Sequence, residues 1–111
     1  MYYLKSIYLT ITLVSVITFT AQAKVNVVAS VKPLHSLVSA VMEGISEPDL
    51  IVKGAASPHT YALKPSQAKQ IEKADLVFWM GHSLEAFLEK PLEAIASKAI
   101  VVELMESQEL I

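Results

Sequence analysis

Four short runs rich in β-branched or aromatic residues, separated by stretches of helical periodicity, constrain this chain more than any other feature. Val25-Asn26-Val27-Val28-Ala29, Asp49-Leu50-Ile51-Val52, Leu76-Val77-Phe78-Trp79-Met80 and Ala99-Ile100-Val101-Val102-Glu103 read as strands. After the first, Pro33 suits the opening turn of a helix. Leu34, Leu37, Val38, Val41 and Met42 then recur on one stripe, up to Gly44, a residue able to take the positive φ of a helix end. Pro65 opens a second helix through Lys73, with Ala68 and Ile71 as its inward face. Ser83 as N-cap and Glu85 in the first turn mark a third, which continues to about Lys98 through Leu84, Phe87, Leu88, Leu92, Ile95 and Ala96, with a kink or a division expected at Pro91. Strands alternating with helices in this way predict an α/β fold: a Rossmann-like parallel sheet with right-handed crossovers and helices on both faces.

The first 23 residues stand apart. A short start with Lys5 leads into an uncharged stretch from Ser6 to Thr20 and then Ala21-Gln22-Ala23, the order of a secretory signal peptide with a small-x-small cleavage site. The stretch is shorter than the roughly 20 predominantly apolar residues a spanning helix needs, and Ser and Thr interrupt it. Residues 1–23 are therefore expected to be a signal peptide cleaved after Ala23, and residues 24–111 one small exported unit. Its 88 residues suffice for one domain and not for two. The sequence has no cysteine, which excludes disulfides, thiolate ligands, cysteine nucleophiles and a lipid-bearing thiol at the junction. The expected product is free in the periplasm, and any metal chemistry falls to imidazole and oxygen. A net charge of −2, or −3 once Lys5 is removed, with signs interspersed, offers no basic face for nucleic acid.

Open α/β sheets bind ligands beyond the carboxyl ends of their strands. All three histidines fall there by position: His35 early in the first helix, His59 after the second strand and His82 in the Gly81-His82-Ser83 turn after the third. His59 is the strongest candidate ligand, because Pro58 and Pro65 frame its loop and leave the imidazole little freedom to lose. His82 reads as a capping or solvated residue and His35 as a packed or partly exposed helix residue. Zinc takes four ligands, or three and a water, so one histidine cannot complete a site. Glu43, Glu47, Asp75 and Glu85 add oxygens, but at no spacing that sets two ligands on one helix face, so most of the coordination must come from elsewhere. Glycines at 44, 54 and 81 make neither a dinucleotide fingerprint nor a phosphate loop, and Ser57, Ser66 and Ser83 lack a nucleophile elbow, so the chain does not read as an enzyme. Phe78 and Trp79 read as core rather than as a recognition platform.

The segments Val27-Val28-Ala29-Ser30-Val31-Lys32-Pro33-Leu34, Val52-Lys53-Gly54, Ser57-Pro58-His59-Thr60-Tyr61-Ala62-Leu63-Lys64-Pro65-Ser66 and Ala74-Asp75-Leu76-Val77-Phe78-Trp79-Met80-Gly81, with Leu84-Glu85, carry a resemblance. Residues 25 to 103 resemble the periplasmic high-affinity zinc-binding proteins of bacterial ABC importers (ZnuA type), within the metal-binding cluster of substrate-binding proteins. The resemblance implies a monomeric receptor of two Rossmann-like lobes joined by a long helix, holding Zn²⁺ between the lobes and delivering it to an inner-membrane permease. It places His59 at the first metal-ligating histidine and assigns nothing to His35 or His82. It also implies that this chain is a partial N-terminal lobe, the other ligands lying on parts of the family pattern that the sequence does not contain. Coordination by imidazole requires the neutral ring, so capture should weaken as pH falls through the ordinary histidine range, about 6.5. A manganese receptor is the alternative within the family. A non-binding remnant or interaction module of the same fold is the alternative of another class.

Overall fold

The computed structural model describes residues 23–106. The signal peptide expected over residues 1–23 lies, but for Ala23, outside them. Among the described residues no helix is long and apolar enough to cross a membrane. The elements run β1 (Val27–Ala29), α1 (Lys32–Val41), β2 (Asp49–Leu50), a 3₁₀ turn at Pro58–Thr60, α2 (Pro65–Lys73), β3 (Leu76–Trp79), α3 (His82–Ile95) and β4 (Ile100–Glu103). The four strands form one parallel sheet in the order β2-β1-β3-β4. This is the Rossmann-like α/β arrangement that the alternation predicts.

Right-handed crossovers on this strand order set α1 on one face and α2 and α3 on the other. Side chains alternate accordingly. Val27, Leu76 and Phe78 share a groove with Leu34, Val38 and Met42 of α1, whereas Trp79 and Val101 line a second cleft with Leu92 of α3. Val28, Val77, Ile51, Ile71 and Leu88, each no more than 1% exposed, form the centre of the core.

Local differences from the sequence reading have physical causes. β1 and β2 are shorter than expected, although Ile51 N–H and Val52 N–H still reach the carbonyls of Ala29 and Ser30, so the pairing continues past the regular strand. In the α1 stripe Leu34, Val38 and Met42 are buried, but Leu37 and Val41 are 68% and 82% exposed. With a single helix on that face, nothing among the described residues reaches over them. Gly44 takes φ +81°, as expected past a helix end. Ser83 is not the N-cap of α3: Gly81 occupies that position at φ +135°, with no side-chain cap bond. Nor does Pro91 break the helix. The non-helical residue is Glu85 (φ −128°, ψ 54°), which turns its carboxylate back under the first turn, and the helix ends at Ile95.

Candidate functional site

His59 occupies the middle of the 3₁₀ turn, on the loop that carries the chain from the carboxyl end of β2 to α2. The side chain is exposed and makes no hydrogen bond or ion pair with the described residues. Pro58 at the start of the turn and Pro65 at the start of α2 limit the backbone on either side. Gly54 takes φ +69° earlier in the loop, in the left-handed region that glycine enters without steric cost.

Buried groups behind the loop hold it. Gln67, 6% exposed on the inner side of α2, donates from Nε2 to the Ile51 carbonyl (2.8 Å) and to the Tyr61 hydroxyl (2.7 Å), while its Oε1 accepts the Lys64 N–H (3.0 Å). The Tyr61 hydroxyl donates in turn to the Ile51 carbonyl at 3.3 Å. The Tyr61 ring rests against Phe87 of α3, their centroids 5.1 Å apart. Sequence reasoning overlooked Gln67 in favour of Ala68, which is only half-buried. The available signal was a glutamine two residues after the proline that opens a helix, where its side chain can reach back to the preceding backbone N–H.

A second buried polar centre lies at the carboxyl ends of β1 and β3. Glu85 is fully buried. Its Oε1 accepts the Ser30 hydroxyl, and its Oε2 accepts the N–H groups of Met80 (2.7 Å) and Gly81 (3.2 Å). One carboxylate thus joins the ends of two strands to the start of α3. Glu85 does stand in the first turn of α3, as the sequence predicts, but its carboxylate oxygens are engaged internally and are not offered as metal donors.

Three of the remaining candidates are committed elsewhere. His35 is half-buried, its Nε2 donating to the Pro48 carbonyl at 2.9 Å, a packing role. His82 is exposed and pairs through Nδ1 with Glu89 Oε2 at 2.7 Å, while its own N–H donates to Glu103 Oε1 at 3.3 Å. Asp75 accepts the Asn26 N–H (2.9 Å) and the Lys98 ammonium (3.2 Å). The backbone bond and then the lysine draw its carboxyl below the ordinary carboxylate range. Among the described residues no three His, Asp or Glu side chains converge as cation ligands. His59 is therefore a single free imidazole, separate from the other two histidines.

Comparison with known proteins gives a consistent family. A family model described as zinc-uptake complex component A, periplasmic (ZnuA), matches residues 27–110. The high-affinity zinc uptake system protein ZnuA of Brucella abortus is 53% identical over 85 residues, covering 77% of this chain and 25% of the relative. The protein of the same description from Haemophilus influenzae is 40% identical over 79 residues, covering 71% of this chain and 23% of the relative. The chain thus spans about a quarter of the length of the curated relatives it matches. Among solved structures, the Zn(II)-bound ZnuA-like domain of Streptococcus pneumoniae AdcA superposes with a TM-score of 0.65 at 20% identity, over 72% of this chain and 30% of that one. The Mn-bound periplasmic metal binding protein of Candidatus Liberibacter asiaticus gives 0.68 at 18%, over 79% and 33%. At these identities the two structures bear on the fold alone.

Proposed function

Since the chain belongs to the ZnuA family of periplasmic zinc-uptake components, we propose that it forms the N-terminal part of a receptor that captures Zn²⁺ in the periplasm for an ABC importer, with His59 as one of the metal's ligands. The supporting observation is the state of His59: an exposed imidazole with no partner among the described residues, on a braced loop beyond the carboxyl end of β2. Neutral imidazole suits Zn²⁺. Because no second or third ligand converges on it among the described residues, the rest of the coordination belongs to other parts of the receptor. Residues 1–23 act as the export signal, removed after Ala23, and the permease of the importer is the partner that receives the ion. The role is binding and delivery rather than catalysis.

The test is a Zn²⁺ titration followed through the imidazole resonances of the three histidines. His59 should respond first, and His59→Ala should remove the leading site, whereas His35→Ala and His82→Ala should leave it in place. Equal zinc affinity in the parent and His59→Ala proteins refutes the assignment.

A further inference from the structure

Ahead of His59 the loop has little apolar mass of its own, its packing on the core coming later through Tyr61 and Leu63. Residues Lys53 to Ser57 are exposed, and the sole backbone bond within the turn, from Thr60 N–H to the Ser57 carbonyl, is long at 3.4 Å. Such a segment is not expected to hold one conformation through hydrophobic burial. Gln67 and Tyr61 close it together. We infer that Gln67 is a positioning residue for His59, its carboxamide fastening the loop ahead of the histidine at the Ile51 carbonyl and behind it at the Tyr61 hydroxyl and the Lys64 N–H.

Three features make this more than ordinary packing. Two of the three polar bonds of the carboxamide leave α2 for the two sides of one loop, at Ile51 and Tyr61, and the third caps α2 at the Lys64 N–H, where the loop ends. The Ile51 carbonyl accepts from both Gln67 and Tyr61, so the two side chains close on the same point from which the loop departs. Tyr61 lies two residues after His59 and is gripped at both ends, its hydroxyl by Gln67 and its ring by Phe87, so the backbone beside the imidazole cannot shift without breaking one of these contacts. A metal ligand on a pre-ordered loop loses less conformational freedom when it coordinates. Removing a group hydrogen-bonded to the ligand itself typically weakens metal binding by about 10- to 100-fold, and Gln67, which acts one step further out through the loop, should cost less.

This role rests on the reading of His59 as a zinc ligand, and two measurements separate the fate of the two ideas. The first is amide hydrogen exchange without metal, comparing the parent chain with Gln67→Ala and Tyr61→Phe, the latter keeping the ring contact with Phe87. In Gln67→Ala the hydrogen-bonded amides that flank and close the loop, those of Ile51, Val52 and Thr60, should lose protection while those of β3 and α3 keep it, and Tyr61→Phe should show a smaller loss at the same amides. The second is the Zn²⁺ titration observed at the His59 imidazole, where Gln67→Ala should weaken binding by roughly 3- to 10-fold with the fold intact, less than the loss of a group bonded to the ligand itself. Unchanged loop protection in both variants overturns the inference. So does zinc affinity within twofold of the parent in a Gln67→Ala protein that keeps its β3 protection. Should Gln67→Ala fail to fold, Tyr61→Phe decides: a loosened loop and weakened zinc binding support the role, and parental values for both overturn it. If His59→Ala leaves zinc binding untouched, the zinc assignment fails on its own and takes the positioning of a metal ligand with it, whatever the exchange data show of the loop.

Discussion

Replacing Glu85 by alanine should be among the most damaging single changes in this chain. Three donors lose their acceptor at once: the Ser30 hydroxyl and the backbone N–H groups of Met80 and Gly81. A hydrogen bond to a charged acceptor contributes about 1.5–3 kcal/mol, so the gross loss is several kcal/mol. Two effects offset part of it. Removing the carboxylate relieves the cost of holding a charge in the interior, and the space left is polar enough to admit water to the freed N–H groups. The net destabilisation expected is about 2–4 kcal/mol, which in a domain of this size lowers Tm by roughly 10–25 °C. Glu85→Gln keeps one acceptor oxygen, so about half that loss should follow. Urea unfolding of the parent, Glu85→Ala, Glu85→Gln, Ser30→Ala and the Ser30→Ala/Glu85→Gln double variant is the assay. Since Ser30 and Glu85 share one bond, the double variant should fall short of additivity by at least about 0.5 kcal/mol. A Glu85→Ala protein within about 0.5 kcal/mol of the parent, or strict additivity, would refute the argument that this carboxylate ties the strand ends together.

Two other outcomes are expected. Asp75 has its folded-state pKa lowered, so its contribution is present above its unfolded pKa and lost as pH falls through the folded value. Acid titration of stability should show a decline below about pH 3.9 that Asp75→Asn removes, and identical acid profiles for the two proteins would count against the pairing with Asn26 and Lys98. Gly81→Ala forces a side chain onto a residue at φ +135° and sets its Cβ 2.5 Å from Glu103 Oε1, so it should cost about 1–3 kcal/mol in thermal melts and displace the Glu103 carboxylate from the His82 N–H.

The architecture was legible because buried parallel strands impose β-branched runs and the helices between them impose a 3.6-residue rhythm. The bounds of α2, the parallel pairing and the left-handed Gly44 follow from those rules. The family resemblance in sequence analysis agrees with the family match and with the structural neighbours. Less legible was which face of an element finds a partner. Leu37 and Val41 have the right spacing, but their burial depends on what lies across the sheet face, which periodicity cannot specify. The polar interior was hidden for another reason. Gln67 and Glu85 are residue types that usually face water, and only the convergence of distant backbone groups on each makes burial tolerable. The break in α3 was placed at Pro91 because proline is the residue that announces itself. It falls at Glu85 instead, where a tertiary demand on the carboxylate overrides local helix geometry.

Doubly wound sheets ordinarily seat a guest in the notch between strands whose crossovers leave on opposite faces, here β1 and β3. In this protein the notch is already full: the oxygens of Glu85 sit among the donors that an incoming anion would seek. A visitor therefore meets a lip and not a hollow. With both strand ends and the start of α3 tied to that one carboxylate, this corner of the sheet should move as a single piece.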